Sequence, residues 1–167
     1  MIRPAKIDDT NRMAEIHVFG WRTAYRGIIA DDILFKRRNV ADSNDWFSKA
    51  IINGTEENYV FDDGIVKGFM NIGKCRDEDK PHSFELWGIY VEPLMKNQGI
   101  GSQFIKFCEQ QAKERGYKEI CLWVLEKNMN ARKFYEKHGY RTDGTKKNDE
   151  RNSVIDIRYV KNLRGAK

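Results

Sequence analysis

Apolar positions recur along the chain at two different intervals, which predicts both helices and strands. Between residues 99 and 115 they recur every three or four positions, the spacing of an amphipathic helix, and Gly116 follows as its end. Residues 58–61 and 65–72 are apolar-rich segments on either side of Asp62-Asp63-Gly64, which is typical of a hairpin turn. The central part of the chain therefore combines a β-hairpin with a long helix.

The other elements follow from the same periodicities, from capping residues and from turn residues. They are a short edge strand at 2–5, a helix from 10 to about 25, a short helix after Asp31, helices at 42–52 and 130–138, and strands at 84–91, 120–125 and 153–160. One or two strands close the chain. This order predicts a mixed α+β sheet with helices on both faces.

Length and composition fit one globular domain, which we expect to span residues 1–167. Hydrophobic residues make up 40% of the chain and charged residues 33%, a composition typical of folded proteins. No apolar run approaches the ~20 residues needed to cross a bilayer. The first ten residues lack the apolar stretch of a signal peptide, so we expect a cytoplasmic protein that does not bind membranes.

The formal net charge is +5, from 30 basic and 25 acidic residues, but the basic residues are scattered. No basic block exceeds three residues, and acidic runs such as Asp77-Glu78-Asp79 interrupt the basic ones. Binding to DNA or RNA would have to fall steeply with ionic strength. We do not expect a nucleic acid as partner.

The three cysteines, Cys75, Cys108 and Cys121, lie far apart in the sequence. No pair has metal-ligand spacing, so we expect no metal site and no disulfide framework. Cys108 falls on the apolar side of the predicted 99–115 helix and Cys121 lies in an apolar strand. Both are expected to be small buried residues.

The most informative segment joins the strand at 84–91 to the helix at 99–115. Pro93 ends the strand, a short polar loop follows, and Gly99 and Gly101 open the helix. Glycines let a ligand approach the backbone closely, and the free N–H groups of a first helical turn suit a pyrophosphate. The loop therefore predicts a phosphate site.

The identity of that phosphate ligand is not fixed by the loop alone. A dinucleotide fingerprint needs a third glycine, and Phe104 occupies its place; a Walker loop needs Gly-Lys-Ser/Thr, which is absent. A tight turn that binds nothing is the other interpretation.

A second segment, residues 128–140, contains a helix closed by Gly139-Tyr140. Together the two segments resemble the GNAT superfamily of acyl-CoA N-acyltransferases, whose loop reads Gln/Arg-x-x-Gly-x-Gly/Ala and whose later block reads Asn, then Tyr, then Gly-Phe/Tyr. The resemblance covers roughly residues 1–160 and implies a central mixed, mostly antiparallel sheet. One departure is that Lys96 replaces the usual arginine or glutamine; a lysine supplies a point charge without arginine's planar fork.

The resemblance implies that the protein binds acetyl-CoA as acyl donor. In the family, pantetheine runs along the strand before the loop, and an asparagine contacts it. The implied donor-binding residues are Ile89, Tyr90, Val91, Lys96, Asn97, Gln98, Gly99, Ile100, Gly101, Ser102 and Asn128. A helix cap is the alternative role for Asn128.

Two residues are the candidates for catalysis. Tyr135 matches the family tyrosine that protonates the departing thiolate; the alternative is a half-buried packing residue. Glu85 lies where many relatives place a general base that faces the acceptor, and a solvent-facing or salt-bridged strand residue is its alternative. Some relatives carry the base five residues before the asparagine, and Trp123 stands there in this chain.

The first two helices of the family build much of the acceptor pocket. Trp21, Tyr25 and Arg26 lie in that region, either as acceptor-binding residues or as packing residues. The amine itself is not readable from the sequence, because the superfamily shares its donor site and varies its acceptor site.

We expect an acetyl-CoA-dependent N-acetyltransferase that acts on an amine of a small molecule or peptide, by direct attack in a ternary complex. The alternative is a non-catalytic acyl-CoA-binding sensor or regulatory module. The expected partners are acetyl-CoA and an amine, and the protein is expected to be a monomer or a homodimer.

Overall fold

The computed structural model describes residues 1–163, so the last four positions of the expected 1–167 domain lie outside the described residues. Seven strands and four α-helices form within the described range. They are β1 (Ile2–Pro4), α1 (Thr10–Ala24), α2 (Val40–Asn53), β2 (Glu57–Asp62), β3 (Val66–Lys74), β4 (Phe84–Val91), α3 (Ile100–Glu114), β5 (Glu119–Leu125), α4 (Met129–Lys137), β6 (Arg141–Asp149) and β7 (Val154–Asn162). Among residues 1–163, no helix has the length and apolar character that crossing a membrane requires.

The strands form one seven-stranded sheet in the order β1-β2-β3-β4-β5-β7-β6. β4 and β5 are parallel, whereas β1 with β2, β5 with β7, and β6 with β7 are antiparallel. The expected fold class is therefore confirmed as a mixed, mostly antiparallel sheet combined with helices.

Several local signals in the sequence coincide with element ends. Asn39 begins α2 because its side-chain oxygen accepts a hydrogen bond from the Asp42 backbone N–H at 2.9 Å. Gly54 ends that helix in the left-handed conformation, with φ of 61°. The short helix expected after Asp31 is a single π-helical turn, Ile33–Arg37.

The sequence pattern did not locate the polar strand β6. It gave bounds only for the strand at 153–160 in this part of the chain. Most of its residues are exposed, so apolar alternation is absent. Its strand conformation comes instead from antiparallel pairing with β7, from Arg141 opposite Val160 to Asp149 opposite Val154. Tertiary pairing here overrides local propensity.

The chain divides into two compact units, each built from two chain segments. Unit 1 comprises Met1–Asn71 and Gly88–Phe104. Its core lies among α1, α2, β2 and β3, where α1 packs against α2. The buried core residues are Met13, Ala14, Ile16, Phe47, Val60, Val66 and Phe69.

Unit 2 comprises Ile72–Trp87 and Ile105–Lys167, described as far as residue 163. Cys108, Leu122, Tyr140 and Tyr159 are among its fully or almost fully buried residues. All three cysteines are buried and free, which confirms the expectation that Cys108 and Cys121 lie in the interior. The buried guanidinium of Arg158 forms ion pairs with the carboxylates of Asp77, Asp79 and Asp143.

Candidate active site

The predicted phosphate loop connects β4 to α3 in unit 1. A 3₁₀ turn at Pro93–Met95 follows the strand, the side chains of residues 96–98 and Gly99 are exposed, and α3 begins at Ile100. Ile100 itself is buried at 3% exposure, which fixes the start of the helix while the preceding loop stays accessible. The segment therefore has the strand-loop-helix form that the sequence predicted.

The backbone of this loop is suited to an anion. Asn97 and Gly99 both have left-handed φ values, 65° and 79°. The N–H of Gln103 bonds to the Gly99 carbonyl at 3.1 Å, so the N–H groups of Gly101 and Ser102 precede that hydrogen bond in the first turn. N–H groups in this position carry the positive end of the helix dipole. A Cβ built on Gly99 would meet nothing within 4 Å.

The approach to the loop is held in place by contacts of Glu92. Its carboxylate accepts a hydrogen bond from Arg12 on α1 at 2.7 Å, and its backbone N–H bonds to the Lys67 carbonyl at 2.8 Å. Gly68 packs so closely beside this strand that an added Cβ would lie 2.8 Å from the Tyr90 carbonyl oxygen. The need for glycine at position 68 was missed by the sequence reading.

The ring of Tyr90 belongs to an aromatic cluster, defined here as His17, Trp21, Phe69 and Tyr90. Tyr90 is one of the residues predicted to lie along the acetyl-CoA donor. The Tyr90 ring stacks on Phe69 with centroids 5.0 Å apart and meets His17 edge-on at 4.9 Å. Trp21 donates from Nε1 to the Tyr90 hydroxyl at 3.4 Å. The structure thus joins a predicted acceptor residue to a predicted donor residue.

The other predicted acceptor residues of unit 1 lie beside that cluster. Tyr25 meets Trp21 edge-on at 4.8 Å, and the Arg38 guanidinium carbon lies 3.4 Å from the centre of the Trp21 ring. Arg26 is exposed, and its backbone forms an isolated bridge with Ile29. Arg38 was not singled out from the sequence, because nothing in its local pattern distinguishes it from Lys36 and Arg37.

His17 is a further residue that the sequence reading missed. It is 7% exposed, and its Nδ1 has no hydrogen-bond partner among residues 1–163. Burial, with a smaller contribution from the positive charge of Arg38, lowers its pKa to about 3. His17 is therefore neutral at physiological pH.

Glu85 lies in unit 2, on β4, opposite Cys121 in the parallel register with β5. Its side chain is 1% exposed and forms an ion pair with Arg76 at 2.6 Å. The same carboxylate accepts a hydrogen bond from the Arg76 backbone N–H at 2.9 Å. This geometry is that of a salt-bridged strand residue, and the general-base role stays a prediction.

Asn128 is the N-cap of α4 and Tyr135 lies within that helix, both in unit 2. The Asn128 side chain caps the helix by accepting a hydrogen bond from the Ala131 backbone N–H at 3.2 Å. Tyr135 lies near the end of the same helix, half-buried, with its ring edge-on to Phe134 at 5.3 Å and to Tyr140 at 6.0 Å. Capping does not use the Asn128 carboxamide nitrogen, so cap and ligand contact are compatible roles.

Comparison with known proteins assigns the chain to a class. The profile of the Acetyltransferase (GNAT) family matches residues 29–140. YuaI of Bacillus subtilis, an uncharacterized N-acetyltransferase, is 30% identical over 129 residues, which cover 76% of this chain and 72% of YuaI. The chain therefore belongs to the GNAT acetyltransferase family, and it is an acyltransferase of the N-acetyltransferase type.

A sequence and a solved structure from Thermoplasma acidophilum are each similar to this chain over most of their length. Spermidine N(1)-acetyltransferase is 22% identical over 89% of this chain and 92% of its own. The crystal structure of PaiA N-acetyltransferase in complex with coenzyme A superposes with a TM-score of 0.77 at 21% identity, covering 95% of this chain and 96% of the other. Three further relatives are matched over only 59%, 46% and 35% of their own length.

Proposed function

We propose that this protein transfers an acetyl group from acetyl-CoA to a primary amine of a small molecule or peptide. The observation that carries the proposal is the exposed loop with left-handed Asn97 and Gly99 at the start of the 15-residue helix α3. The coenzyme A in the PaiA N-acetyltransferase complex and the N-acetyltransferase names of the relatives support this donor.

The loop would bind the pyrophosphate through backbone N–H groups of Gly99, Ile100, Gly101 and Ser102. Such groups act as fixed partial charges and need no particular side chain, so the change to Lys96 is tolerated. The exposed Lys96 ammonium would add attraction to a phosphate, as would the polar side chains of Asn97 and Gln98. Ile89, Tyr90 and Val91 would offer strand backbone to pantetheine.

The chemistry would be direct attack of a neutral amine on the thioester carbonyl carbon. A C–N bond forms, the C–S bond breaks, and the sulfur leaves as a thiolate that takes a proton from the Tyr135 hydroxyl. The amine loses a proton to Glu85 or to a water chain. A lysine-like amine has a pKa near ~10.4 and is mostly protonated at neutral pH, so this deprotonation matters.

The acceptor would contact Trp21, Tyr25 and Arg26, which lie in unit 1 beside the aromatic cluster. Trp21 and Tyr25 pack against each other edge-to-face with centroids 4.8 Å apart. The faces of aromatic rings attract alkylammonium groups. Because one relative is named a spermidine N(1)-acetyltransferase, spermidine is the first amine to test.

The test is an acceptor screen that follows coenzyme A thiol release from acetyl-CoA. Spermidine, free amino acids, aminoglycosides and short peptides are offered singly, with a reaction lacking amine as the blank. Amine-dependent release with acetylated product by mass spectrometry supports the proposal. Tight acetyl-CoA binding with no turnover of any amine supports the sensor interpretation instead.

We further propose that residues 1–167 act as a single N-acetyltransferase domain. Each compact unit consists of two chain segments, and β3, β4 and α3 each contribute residues to both units. Neither unit is a continuous piece of chain that could be excised. One calorimetric unfolding transition with equal van't Hoff and calorimetric enthalpies is expected, and two separable transitions would contradict it.

A further inference from the structure

Three potential metal ligands converge in the interior of unit 2. The sulfur atoms of Cys75 and Cys121 are 3.0 Å apart, and a ligand atom of each cysteine and of Glu85 lies within 4.8 Å of the others. All three side chains are buried, at 6%, 0% and 1% exposure. Neither cysteine is part of the acetyl-transfer chemistry proposed above. Glu85 is the candidate base of that chemistry, and a Glu85 that ligates a metal leaves the amine proton to the water chain.

The sheet explains why residues so distant in sequence meet. Glu85 on β4 and Cys121 on β5 are partners in the parallel register, so their side chains leave the sheet on the same face. Cys75 directly follows β3, and its backbone N–H bonds to the Ser83 carbonyl at 3.1 Å, two residues before Glu85. Because 46 positions separate the two cysteines in the sequence, no metal-ligand spacing motif would identify these three residues as a group.

We propose that Cys75, Cys121 and Glu85 form a binding site for a thiophilic divalent cation, with Zn²⁺ as the representative ion. Two sulfur ligands select soft or borderline metals over Mg²⁺ and Ca²⁺, and zinc accepts cysteine together with carboxylate. A solvent molecule would complete a four-coordinate shell. The expectation of no metal, which rested on linear spacing, gives way to this proposal.

The charges of such a site balance. Two thiolates, one carboxylate and a divalent cation sum to −1, and the Arg76 guanidinium, paired with Glu85 at 2.6 Å, brings the total to zero. A carboxylate has about four lone-pair positions, so Glu85 can ligate a metal while it accepts the hydrogen bonds of Arg76. Without the Arg76 guanidinium, the buried metal site would hold one uncompensated negative charge, which is costly.

Binding is an exchange of one cation for two protons. The metal ligand is the thiolate, so each cysteine that ligates the cation must give up its thiol proton. The metal forms two metal–sulfur bonds as the two S–H bonds break, and both protons pass to solvent. With Zn–S bonds of about 2.3 Å in a tetrahedral shell, the sulfurs would lie ~3.8 Å apart, a separation less than ~1 Å greater than the present one.

The test uses Co²⁺ as a spectroscopic probe on the reduced protein of residues 1–167 under anaerobic conditions, without acetyl-CoA. A thiolate-to-cobalt charge-transfer band that saturates at one equivalent, and that Zn²⁺ displaces, is expected. Cys75→Ser and Cys121→Ser should each weaken binding at least about tenfold. Cys108→Ser is the matched control, a buried cysteine of the same unit outside the cluster, and it should bind like the unchanged protein.

A second measurement needs no substitution and covers the case in which a serine variant fails to fold. Native mass spectrometry of the unchanged protein with Zn²⁺ should show one added metal less two protons. Absence of any bound metal overturns the proposal, as does equal binding by all three serine variants. Loss of two hydrogens from the protein with no metal bound would assign the pair to a disulfide and overturn it as well.

Discussion

Trp21 donates a hydrogen bond from its indole Nε1 to the hydroxyl of Tyr90 across 3.4 Å. Trp21 lies on α1, in the region where the acceptor is expected, and Tyr90 lies on β4, in the strand where pantetheine is expected. A single polar contact therefore links the two predicted substrate surfaces within unit 1. Each ring also packs against other residues, Trp21 against Tyr25 and Tyr90 against Phe69.

Trp21→Phe should lower kcat/KM for the amine at least about tenfold, because the aromatic surface becomes smaller and the hydrogen bond to Tyr90 is lost. The KM for acetyl-CoA should change less than about twofold. Trp46→Phe is the control, since Trp46 is a half-exposed tryptophan of α2 outside the aromatic cluster. Steady-state kinetics with both substrates varied measures the two effects, and equal losses in Trp21→Phe and Trp46→Phe would return Trp21 to a packing role.

A pair of substitutions can distinguish an effect of Gly99 on acetyl-CoA binding from the general cost of placing a side chain at a left-handed φ. Gly99 precedes α3 and Gly116 follows it, their φ values are 79° and 80°, and a Cβ on either meets nothing within 4 Å. Gly99→Ala and Gly116→Ala should each lower the free energy of unfolding by about 1–2 kcal/mol. Only Gly99→Ala should reduce the Tm increase that acetyl-CoA produces, because the new methyl group lies at the phosphate loop.

Equal acetyl-CoA stabilisation of the two glycine variants would exclude the loop from the donor site. The comparison is made as the difference in Tm with and without ligand, so that the intrinsic strain cancels. Gly101→Val offers a second change in the same loop and should abolish the shift.

Tyr135→Phe keeps the ring and removes only the hydroxyl. It should lower kcat by about 10²-fold with little change in acetyl-CoA affinity, because the thiolate loses its proton donor. Tyr117→Phe is the matched control, a tyrosine of unit 2 whose ring lies beside Phe84. Pre-steady-state thiol release measures the chemical step directly. A Tyr135→Phe enzyme that turns over like Tyr117→Phe would show that Tyr135 is a packing residue.

Glu85→Gln tests whether Glu85 acts as the general base or only as a structural partner of Arg76. As a base, its loss should lower turnover most at neutral pH and allow partial recovery at high pH, where free amine is plentiful. Arg76→Gln is the comparison, because it removes the 2.6 Å ion pair and leaves the carboxylate in place. If both variants lose stability and neither changes the pH profile of kcat, Glu85 is structural.

His17 gives the fold a defined acid sensitivity. Its folded pKa is about 3, against the ordinary value of 6.5, because burial disfavours the charged ring. Below pH 6.5 the unfolded chain takes up a proton that the folded protein does not, so stability falls as pH drops from 6.5 towards 3, by up to about 1.4 kcal/mol per pH unit from this group. Above pH 6.5 the group contributes no slope.

Replacing His17 by phenylalanine should remove that component of the slope, and His82→Gln, at an exposed histidine, should not. Urea unfolding at pH 4, 5, 6 and 7 measures the difference between each variant and the unchanged protein. The carboxylates of Asp9 and Asp143, whose pKa values are lowered, contribute equally to all three proteins and cancel. Identical slopes for all three would contradict a buried neutral His17.

Local chemistry explains the parts of the fold that the sequence predicted well. The hairpin around residues 62–64 and the helix that ends before Gly116 depend on periodicity and on glycines at fixed places. β6 depends on pairing with β7, and its polar residues carry no apolar period. Periodicity identifies an element only where one face is buried.

The candidate site divides in the same way. The strand-loop-helix form at residues 96–102 was predictable because the phosphate-binding function proposed for it requires particular residues in sequence order. The partners of Glu85, namely Arg76 and the thiols of Cys75 and Cys121, were not, since they depend on how β3, β4 and β5 align. The left-handed φ of Asn97 was also unforeseen, because such values are uncommon outside glycine, although asparagine adopts them more readily than most residues.

The two outermost strands of the sheet bear on how the protein behaves when concentrated. β1 has only three residues and ends in Pro4, whose nitrogen carries no hydrogen. β6 is mostly exposed, has a register irregularity between Thr142 and Lys146, and carries charges at Arg141, Asp143, Lys146, Lys147 and Asp149. Short, irregular and charged borders oppose strand addition by a second molecule, so neither border offers a template for cross-β aggregation.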